Sequence, residues 1–110
     1  MKFMLMICRN EAAFGDGRAS GEHSKPYVDF ARAMGEAGIL ISGHRLQPSA
    51  TTVRVRDDRT EVSESHHSDA AEQLGGFYVI DVASMEEAVG WAARCPGARQ
   101  GAIEVRPIWE

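Results

Sequence analysis

Ionisable side chains cluster in one short stretch of the sequence, residues 64–69. The stretch contains two adjacent histidines and two carboxylates: Glu64, His66, His67 and Asp69. A carboxylate that pairs with a histidine raises its proton affinity and fixes its tautomer, which suits the histidine to general acid–base catalysis. Adjacent residues of an extended chain point to opposite sides, so one of the two histidines would face a given pocket. This cluster is the candidate catalytic site, and a solvated polar loop is the alternative.

Two further polar side chains are candidates for ligand contacts. His44 lies toward the end of a predicted strand, where a pocket can form, and Arg54 lies on a predicted hairpin, where it can contact an anion. The alternatives are a hydrogen-bonded rim residue for His44 and a solvated strand face for Arg54. A metal site needs three or four convergent ligands, and the spacing of the candidate residues matches no standard metal motif. We therefore predict no metal and no cofactor.

The composition of the chain is typical of one small globular domain spanning residues 1–110. This length suffices for a single core, and 44% of the residues are hydrophobic while 25% are charged. The net charge of −4, with 12 scattered basic residues, argues against a nucleic-acid partner. The N-terminal apolar run is too short to cross a membrane and lacks a cleavage site, and the two cysteines show no metal-like spacing. We therefore predict a cytoplasmic protein with reduced thiols and no membrane contact.

Hydrophobic periodicity predicts the elements that position these side chains. Apolar residues on both alternating faces indicate strands covered on both sides, and apolar residues at helical spacing indicate amphipathic helices. The predicted strands and hairpin arms are residues 2–8, 39–46, 51–56, 60–63, 75–82 and 102–108. The predicted helices are residues 24–38 and a segment that begins at Ser84 with a capping box to Glu87 and stops at residues 95–97. Residues 9–23 are predicted as a loop and residues 68–74 as a helical turn.

This order of elements is a split βαβ plan with a hairpin between its halves. In the hairpin, Val53 and Val55 alternate with arginines, which predicts a ribbon with one buried face. The two helices would cover one face of an antiparallel sheet. The other face, on strands as apolar as the one around Met4 and Met6, should not stay in water. We therefore predict that two copies associate face to face as a homodimer.

Four segments of the sequence resemble the YCII-related family, in particular its DGPF-motif branch. They are LQPSATTVRVRD, EQLGGFYVIDV, MEEAVGWAARCP and IEVRPI, and the resemblance covers nearly the whole chain. It implies a ferredoxin-like dimeric α+β barrel, an antiparallel sheet with two helices on one face, into which the hairpin is inserted. Some members of the DGPF branch are linked to extracytoplasmic-function sigma factors, which implies a regulatory context.

The sequence departs from the family pattern at the motif itself. The Asp-Gly-Pro-Phe of the branch would fall on residues 64–67, where only a carboxylate, Glu64, is kept. Relatives in the wider family have been suggested to be small enzymes with a His–Asp pair. That histidine would fall near Tyr27 and that aspartate on Cys95, so this pair is not carried over.

The leading hypothesis is a homodimeric α+β barrel that binds a small molecule in a cleft between its sheet and loops. The first alternative is a small acid–base enzyme, of lyase or isomerase type, that uses a histidine and a carboxylate from residues 64–69. The second alternative is a non-catalytic regulatory or interaction module linked to sigma-factor signalling.

Overall fold

The protein forms a four-stranded antiparallel sheet with two helices on one face. The structure is a computed structural model that describes residues 1–9, 25–65 and 73–110. In chain order the elements are β1 (Lys2–Arg9), α1 (Lys25–Glu36), β2 (Leu40–Arg45), β3 (Ala50–Arg56), β4 (Arg59–Ser65), β5 (Gln73–Asp81), α2 (Met85–Arg94) and β6 (Ala102–Pro107). The large sheet has the strand order β2-β5-β1-β6, and β3 pairs with β4 in a separate sheet. The α+β prediction is confirmed, because the large sheet and the two helices follow a ferredoxin-like plan.

The core lies between this sheet and the helices. Phe3, Leu5 and Ile7 alternate along β1 and are at most 1% exposed. On the neighbouring strand, Ile80 pairs with Phe3 and Tyr78 pairs with Leu5, so the two strands present one continuous apolar face. The alternation predicted for β1 and β5 is therefore confirmed. Arg9, which was predicted to open a loop, instead ends β1 and is buried.

Helix α1 packs on this face through residues at helical spacing. Tyr27, Phe30 and Met34 are buried, as the pattern predicts. The chain leaves the helix at Gly38, whose φ of +74° favours glycine. The same spacing over the predicted helix of residues 24–38 would bury Ala37, which is instead exposed because the helix has already ended at Glu36.

Helix α2 begins at its predicted cap. The Ser84 Oγ accepts a hydrogen bond from the Glu87 N–H at 3.2 Å, and the Glu87 carboxylate accepts one from the Ala83 N–H at 3.4 Å. Helical spacing of the apolar residues predicts a buried side that is only partly correct: Ala88 and Ala92 are buried, whereas Met85, Val89 and Ala93 are exposed. The difference arises because Trp91 supplies the bulky contact toward α1, with its ring 6.5 Å from that of Phe30.

The β3–β4 hairpin forms in the predicted part of the chain but does not have the predicted burial. Asp57 and Asp58, with φ of 50° and 61°, form a two-residue turn of the kind that suits a hairpin, and Arg59 belongs to β4 rather than to the turn. Val53 pairs with Val62, yet these side chains are 59% and 60% exposed. The prediction of one buried face is wrong for the single chain, because no described element packs against the valine side.

Strand β2 contains an irregularity that periodicity did not predict. The register with β5 shifts between Leu40, which pairs with Ile80, and Ser42, which pairs with Val79. Leu40 therefore packs with the core, while Ser42 and His44 lie on the opposite face of the sheet. Strict alternation along the predicted strand would put all three residues on one face, and this expectation is wrong because a bulge adds one residue to the alternation.

Two predicted segments lie largely outside the described residues. They are the loop over residues 9–23, of which only Arg9 is described, and the helical turn over residues 68–74, of which residues 73 and 74 are described. Gln73 and Leu74 are extended and begin β5. Strand β5 thus starts two residues before the predicted position.

Candidate functional site

The face of the large sheet opposite the helices carries a strip of half-buried apolar side chains, which we call the open face. Met4 pairs with Val79 and Met6 pairs with Phe77 on the two central strands. These four side chains are partly exposed, and none belongs to the core cluster between the sheet and the helices. Cys8 continues the strip toward the end of β1. The open face is therefore an apolar surface on the single chain that no described helix covers.

Strand β6 borders the open face with charged groups. Glu104 pairs with Met6, and Arg106 pairs with Met4. The Cys8 thiol lies 3.8 Å from the Glu104 Oε2, to which it donates a hydrogen bond. Side chains of opposite charge thus alternate along this edge of the apolar strip.

His44 borders the open face on the β2 side. It pairs with Phe77, and the centroids of the two rings are 5.5 Å apart with an interplanar angle of 50°. The imidazole is exposed, and within the described ranges it makes this ring contact without a hydrogen bond or an ion pair. His44 is therefore placed to touch a molecule that lies against the open face. It is not paired with a described carboxylate as acid–base catalysis requires.

The structure places the predicted hairpin residues on opposite sides of the ribbon. Glu64 of β4 pairs with Thr51 and shares a face with Val53. Arg54 pairs with Glu61 on the other face. Both side chains are exposed, so the hairpin does not bring the arginine and this carboxylate together. His66, His67 and Asp69 lie outside the described residues, and their convergence stays a prediction.

A cavity of about 720 Å³ lies where β2 ends and β5 begins. Arg45 and Leu46 line it at the end of β2, Gln73 and Leu74 line it at the start of β5, and residues 47–50, which lead into β3, complete the lining. The Leu46 N–H donates to the Gly75 carbonyl at 2.9 Å, which holds the two segments together. Sequence reasoning missed this cavity. The available signal was the polar Gln-Pro-Ser segment directly after the predicted strand over residues 39–46.

Across the described residues, no group of three or more His, Cys, Asp or Glu side chains is arranged to hold a metal ion. No described helix has the length and apolar character needed to cross a membrane.

An antiparallel sheet with two helices on one face, in this strand order, defines a ferredoxin-like α+β protein. The family model of the YCII-related domain matches residues 1–110. An uncharacterised protein of Rhizobium meliloti (strain 1021) is 33% identical over 110 residues, which cover 94% of this chain and 89% of that relative. The chain belongs to the YCII-related family. The resemblance noted in the sequence is confirmed at this level, and membership of the DGPF-motif branch stays a prediction.

Proposed function

We propose that the protein is a homodimeric α+β barrel, with the β3–β4 hairpin inserted between β2 and β5, that binds a small organic molecule at the border of its subunit interface. The observation that carries this proposal is the uncovered apolar strip of the open face. Met4, Met6, Phe77 and Val79 lie side by side there. Exposed patches of contiguous apolar residues on soluble proteins mark interaction sites.

The thickness of the chain corresponds to two layers, one sheet and one layer of helices, which supports a second copy as a third layer on the open face. Its smallest extent is 19 Å, which is about the thickness of one sheet with one layer of helices. Two sheets pack face to face about 10 Å apart, with side chains from both inner faces interdigitated. A second copy of the open face supplies a surface of matching shape and polarity. The charges of Glu104 and Arg106 would then border the interface on both sides.

The ligand site of this proposal is the cavity between the end of β2 and the start of β5. Its volume of about 720 Å³ falls in the range of small-molecule pockets. Leucines and polar groups line it together, which is the mixture that such pockets use. Gln73 lines the cavity, and residues 66–72, which include the predicted histidines, connect β4 to Gln73. His44, whose imidazole contacts the Phe77 ring and no described carboxylate, supports a ligand contact on the same strand.

Sedimentation velocity tests the dimer. Wild-type protein should sediment as a dimer at micromolar concentration, and Met6→Glu should shift it to a monomer because a carboxylate would be buried between the sheets. Val89→Glu is the control, since it places the same charge on an exposed apolar side chain of the helix layer, away from the open face. Its dimer should be unaffected. A wild-type monomer, or dissociation by both substitutions alike, would contradict the proposed interface.

A thermal-shift screen tests the ligand site. Metabolites and divalent metals are tested against wild type, His44→Ala and the His66→Ala, His67→Ala double variant, with circular dichroism to verify folding. We expect an organic compound to stabilise wild type and to lose that effect in the double variant. If no compound stabilises wild type, the ligand-binding part of the proposal fails. If a compound stabilises all three proteins equally, the histidines are not part of the site.

A further inference from the structure

A second cavity, of about 480 Å³, lies on the helix-covered side of the sheet, between α1 and the turn that follows α2. We call it the helix groove. One stripe of α1 lines it, with Pro26, Phe30 and Ala33 at helical spacing, and Pro96 lies on the opposite wall. Phe30 is 5% exposed, so its ring belongs to the core and forms a rigid floor. The sheet separates this groove from the open face, so the two surfaces are independent.

Two arginines border the helix groove, and both are exposed. The guanidinium carbon of Arg94 lies 4.3 Å from the centroid of the Trp91 ring. A guanidinium that stacks on an aromatic ring is held in place, yet it keeps its in-plane N–H donors for an anion. Arg99 lies on the turn after α2. In the described part of the chain, neither guanidinium forms a hydrogen bond or a salt bridge.

The carboxylate of the groove is already paired. Asp29 accepts a hydrogen bond from the Lys25 ammonium at 2.8 Å, on the α1 side of the cavity. This ammonium also lowers the pKa of Asp29, which keeps the carboxyl ionised and its charge balanced. The two arginines therefore leave the groove with an excess of positive charge above an apolar floor.

We propose that the helix groove binds a small organic anion, a carboxylate or phosphate monoester on a flat apolar body. Arg94 and Arg99 hold the anionic group by charge-assisted hydrogen bonds, which are stronger than those between neutral groups. The apolar body rests on Phe30 between the two prolines. The volume of the groove accommodates a single aromatic ring with its anionic substituent. The proposal depends neither on the dimer nor on the histidine cluster.

Nuclear magnetic resonance of the Trp91 indole tests the proposal. The sequence has two tryptophans, and Trp109→Phe removes the exposed one, so the remaining indole N–H signal reports on the ring beneath Arg94. Benzoate and phenyl phosphate are titrated into this variant, with benzamide as the neutral analogue of the same shape. We expect saturable shifts with one or both anions at up to about 10 mM, and much weaker shifts with benzamide.

Arg99→Gln supplies the decisive comparison, because this exposed side chain can be changed without loss of a described contact. We expect it to weaken anion binding about tenfold or more, as the loss of a charge-assisted hydrogen bond implies. Arg94→Gln should have a similar effect. Arg59→Gln, in the hairpin, is the matched control and should bind as the parent does. The proposal is overturned if neither anion gives a saturable shift, if benzamide binds equally well, or if Arg99→Gln and Arg59→Gln behave alike.

Discussion

At the scale of single residues, Gly43 gives space to an aromatic contact in the core. A Cβ at this position would lie 2.5 Å from Cδ1 and 2.8 Å from Cε1 of Tyr78. The Tyr78 ring cannot move away freely, because it packs edge-on against Phe30 with centroids 5.5 Å apart. We expect Gly43→Ala to lower the free energy of unfolding by about 1–3 kcal/mol, as overpacked cores do. Urea denaturation measures this change.

Gly90→Ala is the control, for which we expect a change in the free energy of unfolding of the opposite sign. It lies within α2, and a Cβ there would meet no atom within 4 Å. Gly90→Ala should raise the free energy of unfolding by about 0.5–1 kcal/mol, because alanine loses less backbone entropy in a helix. If both substitutions changed stability in the same direction, the steric account of Gly43 would be wrong.

The Lys25–Asp29 pair gives the chain a small dependence of stability on pH. The Lys25 ammonium lowers the pKa of Asp29 below its ordinary value of 3.8, so this contribution is present at neutral pH and is lost as the pH falls through the folded value. The hydrogen bond to Asp29 likewise raises the pKa of Lys25 above 10.5, so that contribution is lost as the pH rises through the folded value. Both groups are exposed, and solvent keeps the effect small.

Thermal melts over pH can detect this pair through a double-mutant cycle. Asp29→Asn and Lys25→Gln should each lower the melting temperature slightly at neutral pH, and the double variant should lose little more than either single variant. At a pH well below the folded pKa of Asp29, Asp29→Asn should no longer differ from wild type. Additive losses at neutral pH would show that the two side chains do not interact in solution.

At the scale of elements, the start of α2 depends on its cap. The Ser84 hydroxyl accepts from the Glu87 N–H, which otherwise lacks a partner in the first turn. We expect Ser84→Ala to lower the free energy of unfolding by about 1 kcal/mol, while Ser84→Asp keeps the acceptor and most of the stability. Chemical denaturation compares the three proteins. Equal losses for alanine and aspartate would show that the hydroxyl does not act as a cap.

Local pattern predicted most elements but not their irregularities. Predicting which side of β1 and α1 is buried needs only the rule that each element buries its apolar side. The structure follows that rule at Leu5 in β1 and at Tyr27, Phe30 and Met34 in α1. The bulge after Leu40 breaks the period of two, so no count of alternation could place His44 on the open face. The buried side of α2 depends on how Trp91 meets Phe30, which is a tertiary contact.

At the scale of the whole molecule, the two cavities combine segments that are far apart in the sequence. Arg45 and Gln73 meet because β2 and β5 are neighbours in the sheet, and Arg99 meets Pro26 because α1 lies beside the turn after α2. Spacing along the chain does not show which distant residues the fold brings together. Composition alone suggested chemistry at residues 64–69, where side-chain types cluster locally. The arginines of the helix groove are dispersed, so only the folded chain shows their shared cavity.

The strand pairing also predicts that the strands differ in their local stability. Strands β1 and β5 each have two neighbours in the large sheet, whereas β3 and β4 pair chiefly with each other and are exposed along the entire described ribbon. A two-stranded ribbon alone is marginally stable in water, so its amides should exchange through local opening. Hydrogen exchange should be at least about a thousandfold slower in β1 than in β3, as global and local opening energies imply.

If the hairpin amides exchange slowly instead, the Met6→Glu variant shows whether dimer formation is the cause. If β3 and β4 are strongly protected in wild type and lose that protection in the variant, a second copy covers the valine side of the hairpin. The dimer interface would then include Val53 and Val62 as well as the open face, and their exposure of about 60% in the single chain would be removed on assembly. Strong protection that persists in a monomeric variant would contradict the expectation itself, because the ribbon would then be stable without a covering partner.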